Sequence, residues 1–279
     1  MTCAPMIAVD DRRRRFLEVT AAIALWMAIS LTLHLSLSEH LLVGIPLTVA
    51  FQLGVRRQPL RALWIRDGGI ARVDATTLAI AAVVALYPAY QLVTYIRHDA
   101  PWDRITLALA RVAGAIALAY ALRNVKRPLL RPLAQCLAIV GGLATIMTIT
   151  AAFGLGLLEQ RSLVDRMTIG LTTMLRYLPI WFVVEEISFR GAFDAHLHHP
   201  GEARGIWTAL YISSLWGVWH LPGNTWHLPI GTTIAALVVM HCVLGVPLSL
   251  YWRRSGNLLV PASAHAFADA VRTALIGVG

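Results

Sequence analysis

Nine apolar runs, each close to the length of a bilayer-spanning helix, constrain this chain more than any other feature. They lie near 16–37, 41–55, 75–96, 104–123, 133–157, 170–192, 205–221, 230–252 and 257–278. At 1.5 Å per residue, about 20 helical residues cover the roughly 30 Å hydrocarbon core of a membrane. In lipid, every backbone polar group must be satisfied internally, and runs of this length do that as helices. Composition agrees: 57% of the 279 residues are hydrophobic and 14% are charged. A soluble domain carries about 45–50% and about 25%. The expectation is an all-α, polytopic integral membrane helix bundle of about 8–9 transmembrane segments. The run at 41–55 is short and contains Pro46, so it reads as tilted, re-entrant or a core helix.

The net charge of +9 does not imply a nucleic-acid partner, because the arginines fall between the runs. Arg12 to Arg15 precede the first run, and Arg56, Arg57, Arg61, Arg66 and Arg72 follow the second. Arg123, Lys126, Arg127 and Arg131 mark the fourth connection, and Arg253 with Arg254 the eighth. The connections near 38–40, 97–103 and 222–229 carry few basic residues. This alternation predicts a cytoplasmic N-terminus. Phe16 to Leu37 is too long for a signal-peptide core and reads as a retained first span. Lys126 is the only lysine; the arginine-rich composition suggests a bacterial source, hence an inner (cytoplasmic) membrane. Cys3, Cys136 and Cys242 are widely separated and read as free thiols. Gln58 to Arg72 reads either as an amphipathic interfacial helix or as a cytoplasmic loop.

Ionisable residues interrupt the last runs. Glu185-Glu186-Ile187-Ser188-Phe189-Arg190 closes an apolar stretch that begins at Leu178. A charge at bilayer depth costs about 2.5–3.5 kcal/mol on insertion scales, so such residues mark function by default. Residues four apart share a helix face, which pairs Glu186 with Arg190 and leaves Glu185 free to face a cavity. The same spacing joins Trp216 to His220 and His265 to Asp269. Taken singly, an intramembrane histidine reads as a helix–helix hydrogen bond, and a Glu–Arg pair as a structural lock. Taken together, Glu185, Glu186, Arg190, His220, His265 and Asp269 suggest one polar chamber, since the first five runs hold few such residues away from their ends (Arg111 is one). His196, His198 and His199, beside Pro200 and Gly201, read as a loop and not a metal site. His241, mid-run beside Cys242, reads as a hydrogen bond to a neighbouring helix.

The residue types limit the chemistry. A desolvated carboxylate holds a proton more readily, as a general base requires, and a neutral imidazole exchanges protons near neutral pH. Glu185 and His220 together suit the holding and deprotonation of water. His265 suits hydrogen bonding to a developing oxyanion. No serine or cysteine sits in a nucleophile motif, which points to hydrolysis by water. Glu185, His220 and His265 are also the candidate ligands if a divalent metal such as Zn²⁺ is held, although there is no HExxH. No cofactor is certain.

These motifs, in this order, resemble the CPBP family of intramembrane proteases, which includes CAAX prenyl-protein endopeptidases and bacterial bacteriocin-processing (Abi) proteins. The family pattern is EExxxR, then an aromatic followed by xxxH, then HxxxN or a variant. The resemblance covers roughly 170–275 and includes Gly191, Ser213-Ser214-Leu215 and Leu221-Pro222. It implies an all-α bundle, residues 1–160 contributing N-terminal transmembrane helices and 161–279 the catalytic core. It also implies that Glu185 and His220 activate water, that Glu186 and Arg190 support the site or help bind substrate, and that His265 serves the oxyanion hole. The implied partners are membrane lipids and a peptide or membrane-protein substrate. Two departures stand out. Trp216 replaces the usual Phe, and Asp269 replaces an Asn that would donate a hydrogen bond where ionised Asp only accepts. The alternative is a non-proteolytic membrane binding or immunity protein of the same fold. A transporter is a third reading, against which stands the lack of an internal repeat. One geometric tension remains: the spans as drawn put His220 on the order of 10 Å too far out to meet Glu185 and His265.

Overall fold

The computed structural model describes residues 9–66, 74–155, 161–198, 205–223 and 228–277. The elements are α1 (Val9–Thr32), α2 (Leu37–Ala50) continued by a π-turn at Phe51–Val55, α3 (Ala75–Arg97), α4 (Trp102–Arg123), α5 (Arg127–Leu155) and α6 (Leu163–Trp181). A π-helix (Ile187–Asp194) with a last α turn, α7 (Ala195–Leu197), leads on to α8 (Ile206–Trp219), α9 (Ile230–Ser255) and α10 (Leu259–Ile276). The all-α expectation holds, and this is a helical membrane bundle. Among the described residues the one strand-like pairing is an isolated bridge between Ile65 and Asn257.

Among the described residues, six helices can cross a membrane by length and composition: Asp11–Thr32, Leu37–Val55, Ala75–Arg97, Trp102–Arg123, Arg127–Gly154 and Ile230–Ser255. The run at 41–55 is therefore of spanning length. The three motif-bearing runs are not in this group. α8 has 14 residues, and ionisable residues lower the hydropathy of α6 (Asp165, Arg166, Arg176) and α10 (His265, Asp269, Arg272). α8 and α10 are largely buried in the bundle, while α6 keeps Leu163, Val164, Met167 and Leu171 exposed. α10 lies against α5, α6 and α9; α8 lies along α9; α4 runs beside α6.

Small residues set the close crossings. A Cβ at Gly114 would overlap the Pro179 carbonyl, so α4 and α6 meet at backbone distance. A Cβ at Gly217 would lie 2.7 Å from Leu237 O, which marks the same kind of contact between α8 and α9.

The run at 170–192 is not one helix. α6 stops at Trp181, turns through Phe182 to Val184, and restarts at Glu185 in a wider coil. A strap from the N-terminal half supports the break. Trp64 Nε1 donates to Phe182 O at 2.7 Å, and Leu63 O rests where a Cβ on Gly191 would be. The strap then bonds the α9–α10 corner, with Arg66 N to Gly256 O at 2.8 Å and Leu258 N to Trp64 O at 2.9 Å. Of the two readings of this stretch, interfacial helix or loop, 58–66 is a non-helical strap with one 3₁₀ turn at Leu60–Leu63, because its polar backbone pairs across the bundle. The rest of that stretch, 67–73, lies outside the described residues.

Candidate active site

The first motif runs from the α-helical Glu185 and Glu186 into the π-helix that starts at Ile187. Such coils are rare and recur at functional sites. Glu185 and Glu186 are 4% and 0% exposed, and Arg190 is fully buried. The expected Glu186–Arg190 pair is present, with Arg190 Nε 3.6 Å from Glu186 Oε2. That is an ion-pair distance beyond hydrogen-bond length. The Arg190 guanidinium lies 4.7 Å from the centre of the Trp216 ring, a cation–π contact. Gly245 makes room for it, since a Cβ there would sit 3.1 Å from an Arg190 terminal nitrogen.

The two carboxylates have different surroundings. Glu186 Oε1 meets His265 Nδ1 at 2.9 Å, so Glu186 is tied to both His265 and Arg190. Glu185 Oε2 accepts from Trp216 Nε1 at 2.8 Å and faces His220 Nε2 at 3.8 Å. The latter gap is too long for a direct hydrogen bond and short enough for one water to touch both atoms. His220 Nδ1 donates to Trp216 O at 2.8 Å, so a neutral His220 carries its lone pair on Nε2, towards Glu185.

His265 stacks on Trp181 at 4.4 Å with the rings 2° from parallel. Its Nε2 lies 3.7 Å from Asp269 Oδ2, and Asp269 Oδ1 accepts from Arg272 at 3.1 Å. Glu185, Arg190, His220 and His265 therefore surround Trp216, and Glu186 and Asp269 join them through His265. Arg111 stands apart, near Arg176, Tyr95 and Tyr177. The 10 Å mismatch disappears because α8 has 14 residues and His220 caps its C-terminal end, while Glu185 follows a break instead of continuing α6.

Sequence reasoning missed several supports. Asp194, at the end of the π-helix, is held by Arg253 of α9 through two bonds of 2.6 and 2.9 Å. Arg253 also donates to Gly205 O at 2.6 Å, fixing the start of α8. Their 59-residue separation leaves no local signal. His241 bonds its own helix, Nδ1 to Leu237 O at 2.7 Å, and not a neighbouring one. Its ring also lies 4.1 Å from that of His220. His196 occupies a helical turn, with Nε2 2.8 Å from Glu18 Oε2. His199, Pro200, Gly201 and Cys3 lie outside the described residues. Cys136 and Cys242 are free thiols.

Among the described residues, no three His, Cys, Asp or Glu side chains gather closely enough to hold a metal. His220 and His265 both spend Nδ1 on an acceptor and turn Nε2 inward, as ligating histidines do. Their Nε2 atoms, however, face different carboxylates. The set does not fit a metal in this arrangement, and no step is assigned to one.

Residues 166–271 match the family model described as Rce1-like, type II CAAX prenyl endopeptidase Rce1-like. The three motifs fall within the matched stretch. This is the family they resemble. No match was found among curated proteins or solved structures. With its membrane-length helices, the protein is a multi-pass membrane protein.

Proposed function

We propose that this protein is an intramembrane endopeptidase that hydrolyses a peptide bond with water activated between Glu185 and His220. The observation that carries this reading is the facing pair, Glu185 Oε2 and His220 Nε2, 3.8 Å apart. The match to CAAX-type endopeptidases supports the peptidase class and a peptide or protein substrate in the membrane. In this reading residues 161–279 carry the chemistry.

Water bound at the pair gives a proton to Glu185 as its oxygen attacks the scissile carbonyl, and that proton passes to the amine nitrogen as the C–N bond breaks. The carbonyl oxygen becomes negative and needs a donor. His265 gives its Nδ1–H to Glu186, so it serves the oxyanion through Nε2 only as the imidazolium, which Glu186 and Asp269 favour by charge. Asp269, held by Arg272, orients this ring and takes the place of a donor asparagine. Glu186 and Arg190 hold the constellation from behind. The setting is a bacterial cytoplasmic membrane with the N-terminus inside.

A second reading is a binding or immunity protein of the same fold, favoured by the acceptor-only carboxylate at Asp269. Purified protein in detergent, offered membrane-peptide libraries, separates the two. Cleavage by the parent that is lost in both Glu185→Ala and His220→Ala supports the peptidase. No cleavage by the parent, with a bound partner retained by both variants, supports the binding protein.

A further inference from the structure

The environment of His220 contains an imidazole that the mechanism does not use. His241 of α9 is 5% exposed, and its ring lies 4.1 Å from that of His220, tilted by 36°. The other rings around His220 meet it edge-on or obliquely: Trp219 at 4.8 Å and 88°, Trp216 at 5.7 Å and 66°. His241 therefore supplies the nearest approach to a flat wall. His220 needs one. It caps α8, a 3₁₀ turn at Leu221–Gly223 follows it, and its side chain is 25% exposed.

His241 is itself fixed. Its Nδ1–H donates to Leu237 O, the same carbonyl that meets Gly217 at the α8–α9 crossing. The crossing that sets the height of α8 thus also sets the height and rotation of the His241 ring. That ring also packs edge-on against Trp216 at 4.6 Å and 85°. Trp216 donates to Glu185, so His241 touches both groups that address this carboxylate.

We propose that His241 is a positioning residue, whose ring holds His220 Nε2 towards Glu185. The effect on turnover rests on the hydrolytic reading above; the effect on His220 does not. The test uses full-length protein with His241→Ala, His241→Asn and His241→Phe. Asparagine keeps a short donor and no ring, and phenylalanine keeps a ring and no donor.

The ¹⁵N-histidine spectrum, with His220 assigned by its loss in His220→Ala, is expected to show a fixed Nδ1–H tautomer in the parent. It should average or shift in His241→Ala and His241→Asn and return in His241→Phe. Turnover should fall about 10–100-fold in the first two with KM within about 2-fold, and recover to within about 5-fold in His241→Phe. If His241→Ala does not fold, the Asn and Phe variants carry the comparison. An unchanged His220 signal and unchanged turnover without the ring would overturn the proposal, as would a Phe variant as impaired as Asn. If the parent cleaves nothing, the hydrolytic reading fails and the spectrum alone decides the positioning role.

Discussion

Glu185 and Glu186 are neighbours in the chain, yet their partners divide the work between them. Glu186 is tied to His265 and Arg190, while Glu185 has one indole donor and an open side towards His220. Trp216 therefore does more than fill space, and the exchange of Phe for Trp adds an N–H that aims the Glu185 carboxylate. Trp216→Phe keeps a ring beneath Arg190 and removes that donor. Turnover is expected to fall about 10-fold, the value of roughly 1.4 kcal/mol for a lost hydrogen bond to a charged group, with the fold retained. Steady-state kinetics with a thermal-unfolding control checks this. An unchanged rate would make the indole N–H incidental.

Among the elements, spacing of four residues identified the face of each motif, and charge within apolar runs identified which runs mattered. The break after Trp181 left only Pro179, in the last turn of α6, as a sequence signal, since Phe182, Val183 and Val184 continue the apolar run. What stops α6 is distant: Trp64 takes the Phe182 carbonyl, and Leu63 sits on Gly191. Contacts between elements far apart in sequence have no periodicity to read. Gly114 shows how strictly the elements are spaced. Gly114→Ala forces α4 away from the Pro179 carbonyl and should cost about 1–3 kcal/mol. Gly142, on α5 with nothing within 4 Å of an added Cβ, is the control. Gly142→Ala should stabilise by about 0.5–1 kcal/mol, and equal effects in denaturant unfolding would contradict the packing account.

At the start of α3, Asp74 accepts from Thr77 N and pairs with Arg123. These contacts push its carboxyl down to about 2 from an ordinary 3.8. A depressed carboxyl stabilises the folded state at and above the ordinary value and loses that contribution as pH falls through the folded one. Protection of the first-turn α3 amides against hydrogen exchange should therefore decline from about pH 4 towards pH 2. Asp74→Ala should abolish the decline, and a decline that persists in that variant would place its origin elsewhere.

At the scale of the molecule, the bundle encloses α8, which at 14 residues is too short to span alone, and α10, which carries His265, Asp269 and Arg272. Both sit against longer apolar helices, and the buried Glu186 and Arg190 face each other as an ion pair at 3.6 Å and not lipid. The sequence made legible the membrane class, the order of motifs and the convergence of six residues. It did not make legible the supports, Asp194–Arg253 and the strap at 58–66, whose partners lie 59 residues or more away in the chain.

The central claim is that Glu185 and His220 act as one unit on one water, and a double-mutant cycle on reconstituted protein tests it most directly. Single-turnover cleavage rates are measured for the parent, Glu185→Gln, His220→Ala and the double variant. The account predicts that the double variant is no slower than the slower single, because either loss already disables the shared water. Losses that multiply, so that the double variant is slower by the product of the two, would mean that the residues act separately.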